Sequence, residues 1–473
     1  MIRELNRFRL GVFGIILALL LTAALYQPAV HAGGLQYWQF QKGMTFEDSN
    51  NTNQTICECQ EQQSLEALAA TGTNWVAVTV VWYQSTYTNS SLQPDASRTP
   101  TDATLIHLIQ TIHALGMRVM LKLGIGSKDG MWSAKIEPKD VGTWFESYQR
   151  FASHYAELAQ AGNVEMFCIG TELNSMTQPS MMAYWLGIIE QVRRVFINGY
   201  ITYAADWQPD YWVWHELGFW KALDYVGIDA YFPLTEKNDP TVPELNEAWQ
   251  RWMSQIEDWQ NMTRKQIILT EVGYRNQEGT NTNPGSASRT APPDQQEQAN
   301  CYEALLETFW GKPWLRGIFF QDWRLQSETT PTDYTIWGRL AEDIMDKWYA
   351  KPFIPDGTPS DAVPALVGIQ EAESALSRAY RENRTVGLQL SEDALPAAIH
   401  AYEQGAIIPS EIMASIAKSL ADSAMSQRIF VDTERLGVAF VVGVTVGTLC
   451  MSRHLRAYIR SFSTHWAKKL RSS

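Results

Sequence analysis

The stretch Val164-Glu165-Met166-Phe167-Cys168-Ile169-Gly170-Thr171-Glu172 constrains the fold more than any other. It is an apolar run rich in strand formers that breaks off in Gly-Thr-Glu. Runs of this kind, without alternation, are strands covered on both faces, as in a parallel sheet. A second run, Gln266 to Tyr274, repeats the pattern and reaches a Thr-Glu pair at Glu271. A barrel of eight strand–helix units spends about 30 residues on each. Three such units separate the two runs, which suits strands four and seven. Closure would then bring both carboxylates to the C-terminal mouth. One glutamate at a strand end is equally well a solvated loop residue or half of an ion pair. Two Thr-Glu ends at barrel spacing point to chemistry, and two carboxylates flanking a cleft are what glycoside hydrolysis requires.

The remaining elements fall into the same alternation. Strands are predicted over 35–46, 75–82, 117–123, 200–205, 223–231 and 315–320, besides those ending in the two glutamates. Helices are predicted over 62–71, 103–115, 141–161, 182–196, 245–259, 294–310 and 340–348. Eight strands alternating with helices predict an α/β fold, a (β/α)8 TIM barrel, over 35–350. Residues 351–364 are rich in proline and read as a linker. Residues 365–435 read as an Ala-rich helical stalk with no evident chemistry.

The two ends differ from the middle. Arg3, Arg7 and Arg9 precede an apolar run from Leu10 to Tyr26, followed by Val30-His31-Ala32. Residues 1–32 therefore read as a signal peptide, or as an uncleaved signal anchor. A second uncharged run, 436–452, is about as long as the shortest membrane spans. It reads as a transmembrane helix; the alternative is a buried hairpin or core helix. The tail 453–473 carries Arg453, Arg456, Arg460, Lys468, Lys469 and Arg471 and no acidic residue. By the positive-inside rule it is cytoplasmic, which leaves the barrel extracytoplasmic and membrane-anchored.

The net charge of −13 argues against a nucleic-acid partner for the folded part. Tryptophan is abundant, with 19 in the chain, and is expected in part outside the core, where flat rings suit the C–H faces of sugars. Cysteine spacing suggests neither a zinc site nor a disulfide framework: Cys57 and Cys59 are one residue apart, and Cys168 reads as a small core residue. Asn50, Asn53, Asn89, Asn261 and Asn383 head glycosylation sequons.

With Glu172 and Glu271 as the candidate catalytic pair, strand ends supply the rest. Trp82, Trp207 and Trp323 are candidate platforms for sugar rings, or else plugs between rim loops. Lys42, Lys122, Asp206 and Asp229 are candidate partners for sugar hydroxyls, or ion pairs bracing the mouth. Tyr231 is a candidate hydrogen-bond donor to Glu271.

From Lys42 to Trp348 the chain resembles glycoside hydrolase family 113, retaining β-mannanases built on clan-A barrels. The resemblance rests on Lys42-Gly43-Met44-Thr45-Phe46, Thr73-Asn74-Trp75-Val76-Ala77 with Trp82-Tyr83, Val119-Met120-Leu121-Lys122, Ile169-Gly170-Thr171-Glu172-Leu173, Tyr203-Ala204-Ala205-Asp206-Trp207 and Leu269-Thr270-Glu271-Val272-Gly273-Tyr274. It implies that Glu172 is the general acid/base and Glu271 the nucleophile, with no cofactor and no metal. The sequence departs from the clan at Thr171, where many members have Asn. It departs again at Leu123-Gly124-Ile125-Gly126, where relatives carry a polar loop, and at Gln321, where an aromatic is expected. These departures touch substrate-facing loops. Cleavage of a β-1,4-mannan-type polysaccharide is thus the first reading. Another β-glycan, or a barrel that binds sugar without hydrolysing it, are the alternatives.

Overall fold

The computed structural model describes residues 35–47, 58–208 and 214–426. Eight parallel strands close into a barrel in sequence order: β1 (Gln41–Glu47), β2 (Trp75–Gln84), β3 (Arg118–Ser127), β4 (Met166–Thr171), β5 (Tyr200–Asp206), β6 (Val226–Asp229), β7 (Ile267–Val272) and β8 (Leu315–Arg324). The helices on the outside are α1 (Glu58–Ala70), α2 (Asp102–Ala114), α3 (Val141–Ala161), α4 (Met182–Val195), α5 (Val242–Thr263), α6 (Gln295–Phe309) and α7 (Leu340–Tyr349). After β5 the described chain has only a short 3-10 turn, Gly218–Ala222. The predicted (β/α)8 order is therefore present, and Glu172 and Glu271 belong to the fourth and seventh strands.

Local chemistry sets the helix starts. Asp140 caps α3 by accepting from the Thr143 amide at 2.9 Å, and Thr101 does the same for α2 from Thr104 at 3.1 Å. Thr241 and Glu244 form a reciprocal capping box at the start of α5. Each cap satisfies amides that the first turn cannot, worth about 1 kcal/mol.

The barrel centre is filled by Trp75, Ala77, Met120, Met166, Cys168, Ala204, Ile268 and Phe319. Gly43 is required there: a Cβ on it would lie 2.4 Å from the Phe319 ring. Strand residues two apart share a face, so the parity set by Trp75 and Ala77 decides which later side chains on β2 look inward. Cys168 is a buried free thiol in this core, as its sequence context suggests.

The expected placement of tryptophan outside the core is met only by half-buried rings, such as Trp132, Trp207 and Trp252. Among the described residues no Trp is fully exposed, and Trp75, Trp144, Trp185, Trp249 and Trp323 are wholly buried. Their rings instead fill the wide gap between sheet and helices. On α3, Trp144 stacks on Tyr148 with centroids 5.0 Å apart, and Tyr148 meets Trp185 edge-on at 5.3 Å. Such pairs add about 0.5–1.5 kcal/mol each beyond the area they bury.

The chain divides into two compact units, one of which is Gln39–Gly357. The described helical part of the other comprises α8 (Val363–Arg381), α9 (Gln389–Glu403) and α10 (Ile407–Ser423). These helices fold back on one another rather than extending as a stalk. Ala375, Ala379 and Ala421 pack with Leu376 and Leu388, and Ser391 donates to the Ala417 carbonyl at 2.7 Å. The segments read as signal, membrane span and basic tail (1–32, 436–452, 453–473) lie outside the described residues. Among the described residues no helix is long and apolar enough to cross a membrane.

Candidate active site

Glu271 ends the apolar part of β7, and side chains from β3 and from the end of β6 converge on it. Lys122, an inward residue of β3, donates through Nζ to Glu271 Oε1. Tyr231, just past β6, donates its hydroxyl to Oε2 at 2.8 Å. Lys122 Nζ also lies 3.5 Å from Asp229 Oδ1, which accepts the Thr270 hydroxyl at 2.8 Å. The Lys122 and Asp229 side chains are 0% exposed, whereas Glu271 keeps 18% of its side chain open. The carboxylate thus faces the cleft and the ammonium is sealed beneath it. Burial alone would pull the Lys122 ammonium toward neutrality. Asp229 and Glu271 outweigh it, and the amine is held above its ordinary value. Asp229 is pushed up by burial first and by Glu271 second, with Lys122 opposing.

Glu172 has different surroundings. It follows β4 with φ +48°, and its amide donates to the Ala204 carbonyl on β5 at 2.9 Å. Among the described residues its carboxyl receives one hydrogen bond, from Trp132 Nε1 to Oε2 at 2.9 Å. Burial raises it well above the usual carboxylate range, and Asp229, Asp206 and Glu271 add to the rise. Asp206, at the end of β5, accepts from Asn174 Nδ2 at 2.7 Å and is itself raised by burial. Thr171, where an Asn was expected, donates its hydroxyl to the Leu123 carbonyl at 3.0 Å, part of the barrel wall.

The structure therefore brings Glu172, Glu271, Tyr231, Lys122, Asp206 and Asp229 together. It moves Lys122 and Asp229 from the predicted sugar-facing role to a buried ion pair, because their side chains end below the cleft floor. Three predicted residues are elsewhere. Lys42 neighbours the inward Gly43 and so points outward; its Nζ donates to the carbonyls of Tyr349 and Lys351, the latter at 3.2 Å. Trp82 is an odd number of residues from inward Trp75 and turns to α3, stacking on Phe151 at 5.0 Å and donating to Tyr155 Oη at 3.3 Å. Trp323 is fully buried, bonded through Nε1 to the Ser64 carbonyl and hydroxyl on α1 at 3.1 Å and stacked on Trp337. Lys42 is thus no partner for sugar hydroxyls, and neither Trp82 nor Trp323 is a platform in the cleft. Trp207 turns toward α5, 6.0 Å from Trp252, and with Phe232 and Trp214 lines a cavity of about 210 Å³.

Sequence reasoning missed Trp132 and Asn174. Both lie in irregular segments, where no periodicity marks a direction. It also missed a polar edge between β1 and β8. There Glu47 accepts from Gln321 Nε2 at 2.5 Å and from Arg324 Nη2 at 2.7 Å, and Arg324 also bonds Asp322.

The profile of Glycoside Hydrolase Family 113 matches residues 44–339. Among solved structures, a family 113 β-1,4-mannanase in a complex is 26% identical, with TM-score 0.58, covering 66% of this chain and 99% of that one. The family 113 β-mannanase AaManA from Alicyclobacillus acidocaldarius, in complex with ManMIm, is 24% identical with TM-score 0.59, covering 66% of this chain and 98% of that one. No curated protein sequence matches the chain.

Proposed function

The chain belongs to glycoside hydrolase family 113, and from that premise we propose that it cleaves β-1,4-linked mannan-type polysaccharide by double displacement. Glu271 is the nucleophile and Glu172 the acid/base. The observation that carries this assignment is the contrast between the two carboxyls. Glu271 receives an ammonium on one oxygen and a phenol on the other, so both are held by donors. Glu172 sits among carboxylates that favour its neutral form. A carboxylate held by an ammonium beside a carboxyl whose neutral form is favoured suits a nucleophile paired with an acid/base.

In the first step Glu271 attacks the anomeric carbon while Glu172 passes its proton to the departing glycosidic oxygen. In the second, Glu172 takes a proton from water as the water oxygen displaces Glu271. The mannan assignment is supported by the mannanase named among the similar structures. Another β-glycan is favoured by one feature, the polar Gln321–Glu47–Arg324 edge in place of an aromatic wall. Initial rates on β-mannan, glucomannan and β-glucan separate these readings. The anomer first released, followed by proton NMR, is expected to retain the β configuration. Release of the α anomer, or turnover of β-glucan alone, would overturn the respective part.

An extracytoplasmic barrel tethered through 436–452 would suit a polymeric substrate. Truncation before Arg435 should then convert membrane-bound activity to soluble activity. Unchanged fractionation would remove the tether.

A further inference from the structure

Trp132 is the one described donor to the carboxyl of Glu172, and its loop is pinned from two sides. It precedes the 3-10 turn Ser133–Lys135 and accepts the Lys135 amide at 3.0 Å. The next residue, Ile136, accepts the hydroxyl of Ser175 at 2.5 Å, and Ser175 stands three residues after Glu172. On the other flank the Glu137 amide donates to the Tyr87 carbonyl at 2.9 Å and the Lys139 amide to Thr88 at 3.0 Å. The indole is therefore aimed before any substrate arrives.

We infer that Trp132 is a positioning residue that fixes which oxygen of Glu172 carries the transferable proton. The inference rests on the acid/base reading of Glu172. An indole nitrogen only donates, so Oε2, which it holds at 2.9 Å, serves as acceptor and the proton resides on Oε1. In glycosylation, the Oε1 proton moves to the leaving oxygen as its bond to C1 breaks and the Glu271–C1 bond forms. The charge left on Glu172 is shared with Oε2, where the indole N–H stabilises it. In deglycosylation, Oε1 takes a proton from water as the water oxygen bonds C1 and the Glu271 ester breaks. The same N–H thus serves both halves. It also limits how far the surrounding carboxylates raise Glu172, since a donor to the charged form favours ionisation.

The test is a titration that needs no substrate. The full-length chain is labelled with ¹³Cδ-glutamate, and the Glu172 resonance is identified by its loss in Glu172→Gln. The Glu172 midpoint is expected to rise by about one pH unit in Trp132→Phe. It should return toward the wild-type value in Trp132→His, which restores a ring N–H. The alkaline limb of kcat on β-mannan should move in the same direction. Ser175→Ala, which frees the loop and keeps the indole, should give a smaller shift of the same sign. Coincident titrations of wild type and Trp132→Phe would overturn the inference. So would an equal shift in Trp132→His, because packing alone would then explain it. Wild-type hydrolysis by Glu172→Gln would remove the acid/base reading itself, and the role of Trp132 with it, whatever the titration shows.

Discussion

The floor of the cleft under β3, β6 and β7 and its rim over β4 and β5 treat a carboxyl in opposite ways. On the floor, Glu271 meets an ammonium and a phenol, and the ammonium, with no exposed surface, also faces Asp229. On the rim, Glu172 meets one indole N–H and three other acids. Both glutamates end apolar strands after a threonine, so their immediate sequence neighbours do not distinguish them. What separates them is the side chains that other strands present to each: Lys122 and Tyr231 to Glu271, Asp206 and Asp229 to Glu172. A role that looks like a property of a residue is here a property of the other strands.

The comparison breaks most visibly if Glu271 is removed. Glu271→Ala should lose turnover on the order of 10⁴-fold, whereas Glu172→Ala should be hurt least on aryl glycosides with good leaving groups. Steady-state rates on mannan and on 2,4-dinitrophenyl β-mannosides measure both. Equal losses for the two variants on the activated substrate would erase the proposed division of labour. Next in size is Lys122→Met. It leaves Asp229 and Glu271 buried or half-buried without their cation, which costs about 3–5 kcal/mol of stability. A fall in kcat of about 10²-fold should accompany it. Urea unfolding with wild-type midpoint would contradict the floor as described.

Tyr231→Phe removes one donor to Glu271 and leaves the ring. About 10-fold to 100-fold in kcat is expected, with KM little changed, the range for a hydrogen bond to a charged group. A change confined to KM would mean that the phenol binds sugar instead. The smallest effect sharpens the rim. Asp206→Asn deletes a negative charge near Glu172, so the ionised form of Glu172 becomes less costly and its pKa falls. The alkaline limb of the pH–rate profile should move to lower pH by about half a unit. Movement to higher pH would show that Asp206 acts on Glu172 through Asn174 rather than through charge.

The barrel was legible because its strands are continuous apolar runs at regular spacing. Glu172, Glu271 and Tyr231 were legible because strand ends mark the mouth. Depth was not legible. Lys122 and Asp229 sit on inward positions, as do residues that touch sugars, and only packing shows that they end beneath the floor. Parity could have placed Trp82 correctly, since it is seven residues from Trp75 on one strand. Lys42 fails by the same rule beside Gly43. Trp323 fails differently: Ser64, far away in sequence on α1, takes its indole N–H. Trp132 left no trace, because a loop has no period from which to read direction.

The complete burial of Lys122 has a practical corollary for anyone handling the protein. An amine-directed reagent, such as an N-hydroxysuccinimide ester, modifies exposed lysines readily and cannot reach a side chain with no accessible surface. Acylation at Lys122 therefore requires the contacts with Asp229 and Glu271 that seal it to open from the cleft side. Peptide mass spectrometry of that single site would report how often the floor opens. Its labelling rate, set beside that of the half-exposed Lys128, gives a clock for that opening with its own internal reference.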